Sequence, residues 1–501
     1  MPDPRITRRT ALGLGLTTSA AVALAACTSP AAAPQRTAFV PPGAAVVRAT
    51  ERRRHSTGVV RSATLVAAEQ QVDLAGRTVS TWSFGSVPAS TIRMAAGDTL
   101  RAVLDNRLPA PTTVHWHGVA IRNDMDGVPL VTQPPVPSGA RFAYEFVAEQ
   151  PGTYWFHPHQ GVQIDRGLMG ALVVDDPKEP LRYDHEWVVV LDDWLDTTPE
   201  AVLQQLSKGM GSMGGMGGML MRDGDRLMGT SSAPLGGDAG DVFYPSYLVN
   251  GRPVADPETF RAKPGDRVRI RLINAGGDTA FRVALSKHVL TITHADGFPV
   301  EPVEVDSVLI GMGERYDVLV TLGSGVFPFL ASAEGKQARG FAVVRTAGGA
   351  APAAPSSLPE LDGRLGRAGL LRAATSVRLP SRAVDRTVRA VLTGDMSSYR
   401  WRIDGRTYSP SDPLAGALAV RSGERVGLDL VNRTTMWHPM HLHGHTYQHA
   451  DGGPRKDTSI VLPGKTLHVE LEADNPGRWA LHCHNVYHAE SGMMTVLAYQ
   501  A

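Results

Sequence analysis

The sequence predicts an all-β protein built from three copies of one β-sandwich domain, and three observations predict it. The first is a recurring motif. Ala96-Gly97-Asp98-Thr99-Leu100 leads to Asn106, Pro264-Gly265-Asp266-Arg267-Val268 leads to Asn274, and Ser422-Gly423-Glu424-Arg425-Val426 leads to Asn432. Its glycines lie 168 and 158 residues apart, too far for a solenoid repeat and an ordinary length for a domain. The second is a period of two after each turn: Val268, Ile270 and Leu272 face one way, Arg267, Arg269 and Arg271 the other. The third is punctuation. The chain's 52 Gly and 36 Pro separate short Val, Leu and Thr runs, which suits sandwiches.

Residues 1–27 read as an export signal rather than as fold. Thr7-Arg8-Arg9 before a mild apolar run from Ala11 to Ala26 resembles a twin-arginine signal, and the run is too short and weak for a membrane span. Leu24-Ala25-Ala26-Cys27 looks like a bacterial lipobox, which implies cleavage before Cys27 and lipidation of its thiol. A plain signal peptide with an incidental Cys is the alternative. With two cysteines in the chain, one would carry lipid, one is left for metal, and none remains for a disulfide. Twin-arginine export implies folding before crossing. Residues 28–44 then form a polar, Pro/Ala-rich tether that holds the protein on the outer face of the cytoplasmic membrane.

Residues 45–180 form the first domain. Beyond Asn106 it carries His115-Trp116-His117-Gly118 and His157-Pro158-His159. Both are i, i+2 pairs, so an extended backbone presents each pair of imidazoles on one face.

Residues 181–348 form the second domain. After Asn274 comes Phe281-Arg282-Val283-Ala284-Leu285, with His288 and His294 nearby but no pair, so this domain is expected to bind no catalytic metal and to act as a spacer. Its distinctive segment is 208–228, with Met210, Met213, Met216, Met219, Met221 and Met228, six of the chain's 16 methionines, among glycines. A Met stripe usually packs a core, but interleaved glycines favour a loop. Thioethers are soft ligands that select Cu(I). An adaptor loop with incidental Met is the plainer reading.

The Ala/Gly/Pro/Ser-rich stretch from Ala347 to Arg364 opens a linker placed at 349–374. The third domain, 375–501, carries His438-Pro439-Met440-His441-Leu442-His443 and then His482-Cys483-His484, His488 and Met493. On a strand His482 and His484 point one way and Cys483 the other. Two His, one Cys and a long axial Met form the ligand set of a blue-copper site, and a thiolate with a thioether favours copper where imidazoles alone name no metal. With two cysteines no Cys-rich zinc arrangement is possible. The four clusters together use ten of the 17 histidines.

In order and spacing these four clusters resemble the four copper-binding motifs of the multicopper oxidase family, which includes laccases and bacterial cuprous oxidases. The resemblance covers nearly the whole exported chain. It implies three cupredoxin-like Greek-key β-sandwich domains and four copper ions: one type 1, one type 2 and a type 3 pair. By resemblance, His438, Cys483, His488 and Met493 hold the type 1 copper, and His115 and His441 the type 2 copper. His117, His157, His159, His443, His482 and His484 hold the type 3 pair. The trinuclear cluster is then shared by the first and third domains. Substrate gives up single electrons at the type 1 site, they pass through Cys483 to His482 and His484, and O2 is reduced to two waters with four electrons and four protons.

Proton carriers near the cluster are the carboxylates to look for. Asp126, in Asp124-Met125-Asp126-Gly127, matches a family position that assists protons, although an Asp before Gly is also ordinary turn chemistry. Many bacterial relatives place Glu directly after the second type 1 His. This chain has Ala489 there and Glu490 one place later, which makes Glu490 the candidate second donor. Asp457, beside Lys456, falls where the family's substrate-side loops lie, which makes it only a candidate substrate contact. His445, His449 and His468 are not expected to be ligands.

A thioether axial ligand lowers the type 1 potential relative to a non-coordinating residue, which suits Cu(I), Fe(II) or easily oxidised organics. In bacterial cuprous oxidases Met-rich segments recruit Cu(I). The sequence is therefore read as a lipid-anchored enzyme that oxidises Cu(I) outside the cytoplasm in copper detoxification, with O2 as acceptor. The alternatives are a laccase-like oxidase of phenols or Fe(II), and a non-catalytic copper-binding or storage protein. The complete ligand set argues against the last. A net charge of +1 gives no electrostatic case for nucleic acid, and Arg52-Arg53-Arg54 reads as solvated surface. The expected partners are a small reductant, O2 and the membrane, and the expected state is a monomer.

Overall fold

The computed structural model describes residues 38–209 and 220–501. Each repeat opens a domain in the same way. Thr99–Asn106 pairs in parallel with Val60–Leu74 and antiparallel with Arg141–Val147. Arg267–Asn274 does the same between His185–Trp194 and Arg315–Thr321, and Arg425–Asn432 between Arg386–Asp395 and Thr466–Glu472. The asparagine closing each repeat strand does one job three times. The Nδ2 of Asn106 donates to the carbonyls of Ala110 and Val136 while its Oδ1 accepts from Leu108 N–H. Asn274 ties Thr279, Ile310 and Gly276, and Asn432 ties Met436, Val461 and Thr434. The buried amide thus satisfies backbone groups where the chain leaves one sheet for the other.

Each domain is two sheets packed on a shared core. In the first, the order Arg77–Ser83, Val60–Leu74, Thr99–Asn106, Arg141–Val147 faces the order Ala89–Ala95, Gly170–Asp175, Gly152–His157, His115–His117. Leu100, Leu104 and Tyr144 from one sheet meet Trp116, Phe156 and Leu172 from the other. The second domain has two six-stranded sheets, the third a six- and a five-stranded sheet, and one apolar core runs through both domains. Among the described residues no helix is long and apolar enough to cross a membrane.

Three features depart from the simple reading. The arginine face of Arg267–Asn274 meets water only at Arg267: Arg269 and Arg271 are buried and clamp Asp317, Glu179 and Glu186. Residues 349–374 are irregular but not free. Leu358 and Leu361 pack on Ala284, Leu330 and Phe341, Leu365–Gly366 adds to the strand Ser307–Ile310, and Ala373 bridges Val300. The described end of the tether is also pinned, because Val40 N–H donates to Tyr499 O and Ala501 N–H to Ala38 O.

Candidate metal centres

Cys483 ends the strand Arg478–Cys483 at the middle of the third domain's five-stranded sheet, with Met440 opposite it and His441 opposite His482. The alternation expected of a strand places Cys483 Sγ 3.6 Å from Nδ1 of His438 and 3.7 Å from Nδ1 of His488, the two nitrogens being 3.2 Å apart. All three residues are buried. His488 sits on the helix Val486–Glu490, whose start is fixed by Asn485: its side-chain oxygen accepts from Tyr487 N–H and His488 N–H. Met493 is buried, accepts from Cys483 N–H at 3.0 Å and donates its own N–H to His488 O at 3.0 Å. The outer nitrogens are held as well. His438 Nε2 lies 2.8 Å from Thr434 Oγ1, and His488 Nε2 lies 3.3 Å from Asp241 Oδ2. Trp401 packs its ring 4.3 Å from that of His488.

On the other side of the strand eight imidazoles converge from two domains. His115 and His157 sit opposite each other on antiparallel strands of the first domain. His117, His157 and His484 form one triad of mutually close ligand atoms, and His159, His443 and His482 a second. His115 and His441 approach Nε2 to Nε2 at 3.4 Å, His159 and His482 at 3.3 Å, and His443 and His482 at 3.0 Å. Every contact in this last set except the third joins the first domain to the third, so the site exists only where those domains meet.

The donor set fits copper. Burial pushes His117, His157, His159, His443, His482 and His484 well below the usual imidazole value, and like neighbours add to the effect, so these rings are neutral with lone pairs to offer. His157 Nε2 and both nitrogens of His484 are buried without a hydrogen-bond partner, a costly arrangement that a bound metal resolves. Burial pushes the Cys483 thiol up, and only a metal as partner makes its thiolate affordable there.

Asp126 belongs to both of its readings. It closes the turn Asn123–Met125, and its Oδ2 also lies 3.0 Å from His443 Nδ1 while its carbonyl lies 2.9 Å from His115 Nδ1. Gly127 follows at φ +81, where a Cβ would stand 1.9 Å from Val114 O. Glu490 lines the mouth of a small cleft with His157, His159, His482 and His484. The residue keeps contact with solvent, yet the protein crowded around its carboxyl pushes the pKa up to about 7.

Asp457 is not a substrate contact. It is buried beside the eight-histidine site, with Oδ1 3.2 Å from His117 Nε2 and its carbonyl 3.0 Å from His441 Nδ1, because it directly precedes the strand Thr458–Val461, which lies next to His438–Leu442. Lys456 is buried against Asp296 and Glu314. His445 meets Tyr499, His449 meets Ser459, and His468 pairs with Asp429, so none joins a cluster. Among the described residues the middle domain contributes no member of either cluster, but it is more than a spacer: Asp241 reaches His488, and Asp278 Oδ1 accepts from Asn485 Nδ2 at 2.6 Å. Asp278 is itself held by buried Lys336. Nothing in the sequence flagged these residues; a capping Asn before Val486–Glu490 is the one signal that could have drawn attention to Asn485.

Met221 and Met228 face each other across the hairpin Met221–Asp223/Arg226–Met228. Met210, Met213, Met216, Met219 and Cys27 lie outside the described residues. Both described ends of the Met-rich segment lie near the Cys483 cluster, through Asp241 and Ser397. Leu227 N–H donates to Asp241 O at 2.8 Å, and Gly209 lies against the Ser397 carbonyl, two residues before Tyr399, whose hydroxyl donates to Asp241.

A β-sandwich triplet with a His2Cys site on one side of a strand and eight shared imidazoles on the other defines a copper-dependent oxidoreductase. Three family models, each described as multicopper oxidase, match residues 66–179, 185–349 and 382–501. The chain belongs to the multicopper oxidase family, whose members are copper-dependent oxidoreductases that use O2, and its domains are cupredoxin-like. It is 45% identical to Multicopper oxidase MmcO of Mycobacterium tuberculosis (strain ATCC 25618 / H37Rv), covering 99% of this chain and 97% of that one. It is 27% identical to Copper resistance protein A of Escherichia coli, over 82% of this chain and 87% of that one. Among solved structures it resembles a multi-copper oxidase from Pseudomonas Thermotolerans (TM-score 0.67, 26% identity, 88% of this chain and 100% of that one). It shares the fold of Fet3p, a multicopper oxidase that functions in iron import (TM-score 0.73, 20% identity, 88% and 90% covered).

Proposed function

We propose that this enzyme oxidises Cu(I) to Cu(II) outside the cytoplasm, as part of copper detoxification, with four coppers resident. In this reading His438, Cys483, His488 and Met493 hold type 1 copper, and His115 and His441 hold type 2 copper. His117, His157, His159, His443, His482 and His484 hold the type 3 pair. Copper bound there supplies one-electron oxidation of substrate and four-electron reduction of O2 to water. The chain's own residues do the rest. Cys483, flanked in sequence by His482 and His484, gives a covalent path between the two sites. Asp126 orients His443 and exchanges protons on one side, and Glu490 does so from the solvent-facing cleft.

The observation that carries the choice of Cu(I) is the placement of the Met-rich segment. Its described ends border Asp241 and Ser397, near His488, which supports a role for its soft thioethers in delivering Cu(I). The names of the copper resistance relatives agree with it. A second reading, Fe(II) or phenol oxidation, draws on the Asp241 carboxylate at His488 Nε2, a hard oxygen where substrate electrons would enter. The test is oxygen consumption by copper-loaded enzyme with Cu(I), Fe(II) and a phenol as separate donors. Much higher kcat/KM with Cu(I) is the expected result. Efficient phenol turnover with poor Cu(I) turnover overturns the assignment in favour of a laccase.

We also infer export by the twin-arginine route, lipidation at Cys27 and action as a monomer on the outer face of the cytoplasmic membrane. The Arg8-Arg9 pair and the Leu24-Ala25-Ala26-Cys27 sequence support this. A Cys27→Ser chain that still fractionates with membranes refutes the anchor.

A further inference from the structure

We propose that Arg315 of the middle domain is a positioning residue for the histidine cluster. It holds Asp457 against His117 and His441 while gripping the first domain, so that the type 2 pair His115/His441 is assembled only with the middle domain docked. The inference rests on the copper assignments above.

Arg315 touches all three domains. Its Nε donates to the Thr153 carbonyl of the first domain at 3.0 Å, and its Nη1 to Gly313 O of its own at 3.1 Å. Nη1 and Nη2 donate to the two oxygens of Asp457 in the third at 2.7 and 2.6 Å. Such a fork fixes a carboxylate in plane and direction as well as in charge. The held carboxylate sits on ligands: Oδ1 is 3.2 Å from His117 Nε2 and 3.4 Å from His441 Nδ1. Thr458 Oγ1, 3.0 Å from each of those nitrogens, donates to the same Oδ1. A second middle-domain carboxylate, Asp296, accepts from the backbone N–H groups of Asp457 and Thr458. Arg315, Asp457, Asp296 and Thr458 are all 0% exposed.

The surrounding backbone is shaped to admit this pair. Gly118, next to His117, has φ +83, and a Cβ there would stand 2.3 Å from Arg315 Nη2 and 2.6 Å from Asp457 Oδ2. A Cβ on Gly313 would stand 2.8 Å from His484 and 3.0 Å from His117. The middle domain therefore closes against the ligand imidazoles themselves. Arg269 and Arg271 are buried too, but their carboxylate partners touch none of the eight histidines.

The test compares full-length wild type, Arg315→Lys and Arg315→Met after identical copper loading. Three readouts are taken: the blue absorbance band of type 1 copper, the type 2 electron paramagnetic resonance signal relative to type 1, and the melting temperature of the copper-free protein. Arg315→Met is expected to keep the blue band and to lose type 2 copper, with affinity at that site down about 10- to 100-fold. Arg315→Lys, which restores charge but not the fork, is expected to recover part of the signal. Full type 2 occupancy in Arg315→Met overturns the inference. So does equal loss of both copper signals, or failure of both variants to fold without copper, since either makes Arg315 a general stabiliser. A wild type lacking the blue band would instead sink the copper assignments.

Discussion

Asp241 of the middle domain places Oδ2 3.3 Å from Nε2 of His488 in the third domain, with both side chains buried. The contact leaves Nδ1 of His488 facing Cys483 and His438. A carboxylate on the outer nitrogen of a ligand imidazole sets its orientation and raises its basicity. Asp241→Ala should therefore cost about 10- to 100-fold in substrate oxidation and shift the blue band. An unchanged band and rate would show that the ring needs no such support.

Cys483→Ser should abolish the blue colour and substrate oxidation while the chain still folds, since the exchange removes a soft thiolate from a small buried site. A retained blue band would refute the type 1 assignment.

Asp126→Asn keeps the shape that meets His443 but removes the charge and the proton-accepting function. Reoxidation of the reduced enzyme by O2 should slow by about 10²- to 10⁴-fold, with reduction by substrate unchanged. Rapid mixing separates the two half-reactions, and equal effects on both would reduce Asp126 to a turn residue.

Replacing Met210, Met213, Met216, Met219, Met221 and Met228 with Ser should weaken Cu(I) oxidation and spare small organic donors. Parallel losses with both donors would mark a folding or access effect.

Asp317 predicts an acid limit to stability. Burial alone would raise its carboxyl, but Arg269 and Arg271 outweigh that and hold it well below the usual 3.8. The folded value is depressed, so this stabilisation is present above 3.8 and is lost as pH falls through the folded value. Asp317→Asn removes the buried carboxylate that Arg269 and Arg271 share, leaving each with one glutamate, and should destabilise the fold by roughly up to 3–5 kcal/mol at neutral pH. The gap to wild type in denaturant melts should narrow in strong acid; a gap constant from pH 7 to strong acid would refute the assignment.

The local chemistry was legible in the sequence because it is carried by spacing. The His-x-His pairs and His482-Cys483-His484 obey the two-residue period of a strand, so a thiol on one side and imidazoles on the other follow from backbone geometry alone. The repeat strands were legible by the same period, and the number of domains by the distance between their turns. Asp457 could not be placed from the sequence, because its position between motifs says nothing about which strand it adjoins. The arginines of Arg267–Asn274 were visible as a face, but not as a buried one.

By itself, then, the sequence determined the histidine and cysteine clusters, the family's metal and the threefold architecture, since each is written in residues close together along the chain. Only the tertiary structure brought Asp241, Asp278 and Arg315 of the middle domain against His488, Asn485 and Asp457 of the third. These relations join residues 142 to 247 positions apart, Arg315 to Asp457 and Asp241 to His488 being the two limits. Pairing across such a distance is set by how buried charges find partners when domains dock, and no local pattern encodes it.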